Sequence, residues 1–407
     1  MPGIANRRNA RICAIALIAA VMLSLYTPDG TARVSAEPSQ SRSSDQTAPR
    51  PAAKPSTHAK AAALIDVTSG RLLYSSHGDE PMLIASTTKI MTAIIAIEQG
   101  DLDSLVTVSS RAAGKEGSSI YLKAGEKMKL KDMLYGLMLR SGNDAAVAVA
   151  EHVGGSLEGF VYLMNAKAEE IGMTHSHFAN PSGLDQKGHY ASADDMARLA
   201  AYALHNKTFR EIVSTKVKTA PNPAESWDYR WINKNKMLNM YEGADGVKTG
   251  YTKQALRTLV SSATRDGRQL AAVTLNDGDD WNDHAKLLDY GFTAYPLQTL
   301  IAAGESIKGY PFAAASAFSY PLAAGERDKL RTELMLYGVD TVDYNLGYRG
   351  RLVYWLADKR IGAVELLPQT PVGAPEARGT TAKPAAGGGR SLGASLREAC
   401  RALLSIS

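Results

Sequence analysis

The chain has 407 residues, 45% hydrophobic and 21% charged, with a formal net charge of +5. That length and balance suit a chain that buries a sizeable core in two or three domains. No dense Lys/Arg stripe interleaved with aromatics occurs, which removes nucleic acid as a partner, while the mild basic excess suits an anionic envelope surface. The two cysteines are Cys13 and Cys400. Loss of an N-terminal leader would leave one, so an internal disulfide and cysteine-ligated metal are both excluded.

Residues 1–36 read as a secretory signal. Arg7, Arg8 and Arg11 precede an apolar run from Ile12 to Leu25, and Val34-Ser35-Ala36 offers small residues for cleavage. The run falls short of the about 20 residues a membrane-spanning helix needs, which favours export over an uncleaved anchor. Cys13 opens the run and is not beside the cleavage motif, so it is not a lipidation site. Residues 37–58, rich in Ser, Pro, Ala and Gln, read as a tether.

Order is expected from about Ala61. Two short apolar runs, Ala62 to Val67 and Arg71 to Ser75, flank Thr68-Ser69-Gly70 as a hairpin. An apolar helix follows from Ile84 to Ile97, then helices over 130–139, 144–153, 157–171 and 193–204, the last opened by Ser192 as N-cap. Residues 258–264 and 269–275 form a second hairpin about Asp266-Gly267, and another helix begins at Lys286. Strands at both ends with helices between predict an α+β catalytic domain over 59–296, its sheet assembled from both ends. Residues 297–369 read as a small β-rich domain with strands over 330–337, 351–357 and 361–367. Residues 370–390 are a low-complexity linker. Residues 391–407 form a short amphipathic tail, with Leu392, Leu396, Leu403 and Leu404 on one face, suited to a membrane surface.

Three groups of residues carry chemistry. Ser86-Thr87-Thr88-Lys89 leads into the apolar helix, and residues three apart share a helix face, so the Lys89 amine can reach the Ser86 hydroxyl. Burial disfavours the lysine cation and lowers its pKa towards that of a general base. Ser141-Gly142-Asn143-Asp144 sits between two helices, where Ser141 can relay a proton and the Asn143 amide can bond a peptide. Lys248-Thr249-Gly250, followed by Tyr251, places a cation and a hydroxyl on a strand edge, a fit for a carboxylate, and Gly250 admits a close backbone. Each alone has a plain alternative: an N-cap serine with an outward lysine, a capped turn, a surface turn. Ser-x-x-Lys, Ser-x-Asn and Lys-Thr-Gly in this order are the signature of penicillin-binding proteins and class A β-lactamases.

From Ala61 to Pro368 the sequence resembles the low-molecular-mass D-alanyl-D-alanine carboxypeptidases. The runs Ala63-Leu64-Ile65-Asp66, Asn180-Pro181-Ser182-Gly183-Leu184 and Gly188-His189-Tyr190 add to the trio. The resemblance implies a β-lactamase/transpeptidase-like domain, an antiparallel sheet flanked by helices, followed by a small all-β domain. It implies a metal-free serine enzyme, with no cofactor, that trims the terminal D-Ala from peptidoglycan stem pentapeptides and is blocked by β-lactams. In that reading Ser86 attacks, Lys89 takes its proton, and Ser141 helps protonate the leaving amine. Asn143 holds the substrate amide, Lys248 and Thr249 face its carboxylate, and the Ser86 and Tyr251 amides make the oxyanion hole.

Two departures stand out. Relatives place Ala-Gly and then Cys or Asn where this chain has Ala255, Leu256, Arg257 and Thr258, and an Arg near 281–284 is missing, which leaves Arg257 as a candidate substitute. His175, His177 and His189 lack metal-ligand spacing, and Trp227, Tyr229 and Trp231 read as packing. The rival functions are a β-lactamase, for which no suitably placed Glu is evident between Ser141 and Lys248, a non-catalytic penicillin-binding wall sensor, and a transpeptidase.

Overall fold

The computed structural model describes residues 53–222 and 225–369, together with the backbone of Arg33–Ala36. The expected leader up to residue 32, the tether up to residue 52, the linker from 370 and the tail lie outside the described residues.

The catalytic unit is built on one five-stranded sheet. Strands β1 (Ala61–Asp66) and β2 (Leu72–Ser76) form the expected hairpin. Its turn is closed by Asp66, whose carboxylate accepts from the Ser69 N–H at 2.9 Å and the Ser69 hydroxyl at 2.7 Å. Strands β3 (Ala244–Thr252), β4 (Leu256–Arg265) and β5 (Arg268–Leu275) return after the helices. The order is β2-β1-β5-β4-β3, antiparallel throughout, with Ala61 opposite Leu275 and Asp66 opposite Leu270. The two ends of the domain therefore meet in the middle of the sheet.

Every residue of β1 is buried, because helices cover both sheet faces. Side chains alternate along a strand: Ala61, Ala63 and Ile65 enter one core, Ala62 and Leu64 the other. The first core holds helices α1 (Lys89–Gln99), α3 (Asn143–Gly154), α4 (Leu157–Glu170), α5 (Ala193–His205) and α6 (Lys207–Ser214). Against the second packs α7 (Asp280–Ala294). A Cβ on Gly291 of that helix would come within 2.6 Å of Leu64 and 2.7 Å of Leu270, so glycine sets how closely α7 lies on the sheet.

Two expectations need correcting. The helix foreseen over 130–139 is α-helical only as α2 (Leu130–Tyr135) and widens into a π-turn over Gly136–Arg140, ended by left-handed Ser141 with φ of 66°. Helix α7 starts six residues before Lys286, because polar His284 turns inward. Its ring bonds Ser261 Oγ at 2.5 Å and Thr274 Oγ1 at 3.1 Å.

The C-terminal unit carries Leu330–Leu336, Gly350–Leu356 and Lys359–Pro368 as adjacent strands, near the positions expected. Phe312–Ala314 forms one edge of this antiparallel sheet, and Arg33–Ala36, which spans the expected cleavage motif, forms the other. One short helix, Val342–Asn345, interrupts what was expected to be β alone. Arg71 of the first hairpin ties the two units together: it donates to the Pro321 carbonyl and to Glu326, each at 2.6 Å, and stacks over Tyr295 and Tyr320. Among the described residues no helix is long and apolar enough to cross a membrane.

Burial holds the imidazole pKa of His284 down to about 3 and that of His189 down to about 4. The unfolded chain takes up these protons near 6.5, so between about pH 6.5 and 4 it binds more protons than the fold does. Stability should therefore fall as pH drops through that window, by up to about 1.4 kcal/mol per pH unit for each imidazole. Urea unfolding at pH 7 and pH 4.5 measures it, and His284→Gln should flatten the slope. An identical slope in wild type and variant would remove His284 from the account.

Candidate active site

The apolar run beginning at Ile84 does not start as an α-helix. Ala85–Thr88 form a 3-10 turn before α1 begins at Lys89, and Ala85 is left-handed with φ of 46°. Side-chain hydroxyls hold this turn. Thr87 Oγ1 donates to the Ile84 carbonyl at 2.6 Å and Thr88 Oγ1 to the Ala85 carbonyl at 2.8 Å. Thr258 Oγ1 on β4 adds a second bond to Ile84 at 3.1 Å. His189 completes the set. Its Nδ1 accepts from the Ala179 N–H at 3.1 Å, so Nε2 carries the proton and donates to Thr88 Oγ1 at 2.8 Å. Gly183 packs against the turn where a Cβ would lie 1.9 Å from the Ala85 carbonyl oxygen.

Lys89 is fully buried, with Nζ 3.1 Å from Ser86 Oγ. The same nitrogen lies 2.7 Å from Asn143 Oδ1 and 2.5 Å from the Ser182 carbonyl oxygen. Burial first, then the nearby Lys248 and Lys234 cations, push the Lys89 pKa well below that of an ordinary amine, against a smaller upward pull from Asp144. A neutral amine has two N–H donors and one lone pair. Donating to the two carbonyl oxygens leaves the lone pair for the Ser86 hydroxyl. None of the hydrogen bonds to Lys89 among the described residues comes from a carboxylate.

Ser141 ends the π-turn and Asn143 starts α3. Asn143 Nδ2 donates to the Glu116 carbonyl at 2.6 Å, which fixes the amide so that Oδ1 faces Lys89. The neighbouring Asp144 carboxylate is buried and collects the Ser119 hydroxyl at 2.6 Å and the Ile120 and Leu122 amides. It thereby clamps the 119–122 segment beside the site. Ser141 Oγ is buried and has no hydrogen-bond partner among the described residues. A hydroxyl left so costs stability unless something bonds to it, and a substrate atom is the natural candidate.

The third group lies on β3, whose outer edge pairs with no other strand among the described residues. A Cβ on Gly250 would lie 3.0 Å from the Ser86 nitrogen and 2.3 Å from Thr258 Oγ1, so glycine lets β3 close upon the Ser86 turn. Lys248 is buried and its Nζ donates to the Thr249 carbonyl at 2.7 Å. Burial and the Lys234 cation bring its pKa down to about 7. Tyr251 is 63% exposed. The structure thus brings Ser86, Lys89 and Asn143 into one bonded group and sets Lys248 and Gly250 against it.

Lys234, which sequence reasoning did not single out, is a further member. Its Nζ contacts Ser118 Oγ at 3.1 Å, and burial and Arg140 lower its own pKa. It lies 14 residues before Lys248 outside any of the three motifs. Ser182 contributes a backbone carbonyl, presented by a loop in which Asn180 Oδ1 accepts from the Ser182 and Gly183 amides. The sequence singled out that loop as a family feature without a role. Arg257 turns elsewhere: its guanidinium pairs with Asp280 and lies over Trp281. Of the aromatic trio, Tyr229 and Trp231 stack at 5.2 Å and Trp231 is buried, as expected of packing, while Trp227 is exposed.

Residues 47–279 match the Peptidase S11 family, described as D-alanyl-D-alanine carboxypeptidase. The D-alanyl-D-alanine carboxypeptidase DacF of Bacillus subtilis is 37% identical over 259 residues, covering 61% of this chain and 66% of that protein. DacC of Escherichia coli is 33% identical over 262 residues, 61% of this chain and 64% of the relative. The chain therefore spans just under two thirds of the length of these two curated relatives. Among solved structures, the Streptomyces K15 DD-transpeptidase superposes with a TM-score of 0.56 at 33% identity, covering 59% of this chain and 99% of that one. Penicillin binding protein 5 from Haemophilus influenzae gives a TM-score of 0.64 at 27% identity over 78% of this chain and 98% of its own. These neighbours bear out the fold expected from the sequence, a β-lactamase/transpeptidase-like domain followed by a β-rich one. A half-buried serine beside a fully buried lysine, facing a Lys-Thr-Gly strand edge, is the setting in which the family match falls, and this chain belongs to the D-alanyl-D-alanine carboxypeptidase family, Peptidase S11.

Proposed function

We propose that this chain is an exported serine D,D-carboxypeptidase that removes the terminal D-alanine from peptidoglycan stem pentapeptides and is acylated by β-lactams. The observation that carries it is the buried Lys89 amine, 3.1 Å from Ser86 Oγ, with its pKa pushed well below that of an ordinary amine by burial and neighbouring cations.

Lys89 takes the Ser86 proton as Oγ bonds to the carbonyl carbon of the penultimate D-alanine. Negative charge on that carbonyl oxygen is met by the Ser86 and Tyr251 amides, each such donor contributing about 3–4 kcal/mol in related sites. When the C–N bond breaks, the departing D-alanine amine receives the proton from Lys89 through Ser141, whose unpartnered hydroxyl suits a relay. Asn143 orients the peptide, and Lys248 and Thr249 hold the terminal carboxylate. Water then attacks the Ser86 ester, Lys89 accepts its proton, and Ser86 recovers a proton as the shortened peptide leaves. The amines of Lys234 and Lys248, when charged, favour an anionic substrate end. The leader at 1–36 and the tail at 391–407 enter this proposal from sequence alone, as a route to the cell envelope and a contact with its membrane surface.

A transpeptidase reading has one observation in its favour, the likeness to the Streptomyces DD-transpeptidase. Supplying an acceptor amine with the pentapeptide separates the two, since cross-linked product exceeding free tetrapeptide would replace hydrolysis by transfer. A β-lactamase would need a carboxylate-positioned water for deacylation; Glu169 and Glu170 stand at the end of α4, remote in sequence from the motifs.

Three outcomes are expected. Chromatography should detect D-alanine release from a D-Ala-D-Ala pentapeptide, reduced at least about a thousandfold in Ser86→Ala; equal release by both would take Ser86 out of the reaction. Intact mass after penicillin should show a long-lived adduct on Ser86, whereas rapid drug turnover without an adduct would favour the β-lactamase. The third concerns pH. Activity requires Lys89 neutral and Lys248 charged, so kcat/KM should fall at low pH as Lys89 protonates and at high pH as Lys248 loses its proton. Removing the Lys234 cation eases protonation of both amines, so Lys234→Met should move both limbs to higher pH. An unmoved profile would separate Lys234 from the site's electrostatics.

A further inference from the structure

The free edge of β3 has a direction. A peptide with its terminal carboxylate at Lys248 and Thr249 and its scissile carbonyl over Ser86 adds antiparallel to that edge. Its preceding residues then run past Gly250 and Tyr251 towards Thr252. Beyond Thr252 opens a pocket of about 500 Å³, bordered by Met82, Asp185, Lys187, His189, Tyr190 and Gln254. Two hydrogen bonds join it to the site. Thr252 Oγ1 donates to Asp185 Oδ1 at 2.8 Å, and His189 on its wall bonds Thr88 in the nucleophile's own turn at 2.8 Å. Gly250 and Thr252 are two strand residues apart, about 7 Å, which a long side chain on the residue before the penultimate D-alanine can cover.

The wall offers both charges. Asp185 and Lys187 stand two residues apart on one loop, and among the described residues neither has a salt-bridge partner, in each other or elsewhere. An unpaired acid and an unpaired amine together complement a ligand that itself ends in an ammonium and a carboxylate. Met82 and Tyr190 supply apolar surface for the methylenes leading to it.

We propose that this pocket binds the side chain of the third stem-peptide residue and selects a diamino dicarboxylic acid, with Asp185 facing its ammonium and Lys187 its carboxylate. This rests on the D,D-peptidase reading of the cleft. A side chain ending in ammonium alone, as in lysine, satisfies Asp185 and leaves Lys187 unpaired.

The test compares three substrates on the full chain: pentapeptides with meso-diaminopimelate or L-lysine at position three, and N-acetyl-D-Ala-D-Ala, which has no such side chain. The diaminopimelate peptide should exceed the lysine peptide in kcat/KM by about fivefold or more, each charge-assisted bond being worth enough for that. Lys187→Glu should erase or invert this ratio while turnover of N-acetyl-D-Ala-D-Ala stays within twofold. Asp185→Asn, which keeps an acceptor for Thr252, should weaken both long substrates. Calorimetric binding of the two pentapeptides to Ser86→Ala supplies the same ratio without chemistry. Equal affinities there, or a ratio unaltered by Lys187→Glu, would overturn the subsite. Absence of turnover for all three with the binding preference intact would overturn the hydrolase reading and leave the subsite standing.

Discussion

The site depends on one lysine whose pKa burial pushes well below that of an ordinary amine. An ammonium taken from water into the protein interior costs several kcal/mol unless paired with an anion, and among the described residues no carboxylate is hydrogen-bonded to Lys89. Its surroundings add repulsion, since Lys248 and Lys234 contribute further positive charge. The neutral amine is the cheaper state, and its bonding suits that state. Two fixed carbonyl oxygens, Asn143 Oδ1 and Ser182 O, match its two N–H groups and aim the remaining lone pair at Ser86. In the proposed mechanism the second motif is then part of the base as much as of the substrate grip, because Asn143 sets which way the lysine faces. Asp144, one residue on, fixes the start of α3 by binding the 119–122 segment.

The same constraint explains why the nucleophile does not sit in a regular helix. An α-helical start would leave the Ile84 and Ala85 carbonyls to the i+4 ladder, whereas here Ile84 takes the Thr87 amide of a 3-10 turn and threonine hydroxyls at 87, 88 and 258 add bonds to the two carbonyls from the side. The left-handed Ala85, which costs roughly 1–2 kcal/mol, brings the Ser86 amide against the β3 edge. Gly183 and Gly250 lie on either flank, and each lacks a Cβ that would collide with the turn. In the proposed mechanism a substrate carbonyl would thus meet an amide, a hydroxyl and an amine that are already in place, with no reorganisation needed at the moment of attack.

Much of this was legible in the sequence because it was written in apolar periodicity and short-range spacing. The runs that became β1 and β5 marked strands at both ends of the domain, and the three-residue step from Ser86 to Lys89 placed the amine one turn from the hydroxyl. What escaped was set by tertiary contacts. The 130–139 run keeps the same apolar residues whether its turns are α or π, so pattern alone could not show the widening at Gly136. Helix α7 begins among Asp280, Asp283 and His284, polar residues that read as loop until Ser261 and Thr274 are seen to bond the imidazole. Lys234 belongs to no short motif, and the Ser182 carbonyl is a backbone group whose position no side chain announces. The threonines at 87 and 88 stood in plain view, but their role needed the geometry of the turn.

The departure after the Lys-Thr-Gly strand has a structural consequence. Leu256 occupies a left-handed position with φ of 57° at the start of β4, where glycine would be free of strain. Arg257, next along, sits opposite Tyr251, and adjacent strand residues face opposite ways. Thr258 faces the nucleophile's turn, which directs Arg257 to the other face of the sheet, towards α7. There Asp280 takes its guanidinium and Trp281 covers it. A guanidinium already forked onto a carboxylate has little left to offer a second one, since the bidentate geometry that makes arginine effective is used up. In the proposed mechanism carboxylate recognition therefore falls to Lys248, with the Lys234 amine near it, and their depressed pKa values would make that grip dependent on pH. An arginine would have stayed charged throughout. With lysines in that role, the proposed mechanism ties substrate binding and proton transfer to the same small set of titrating groups, so that holding the carboxylate and activating the serine would not be tuned apart.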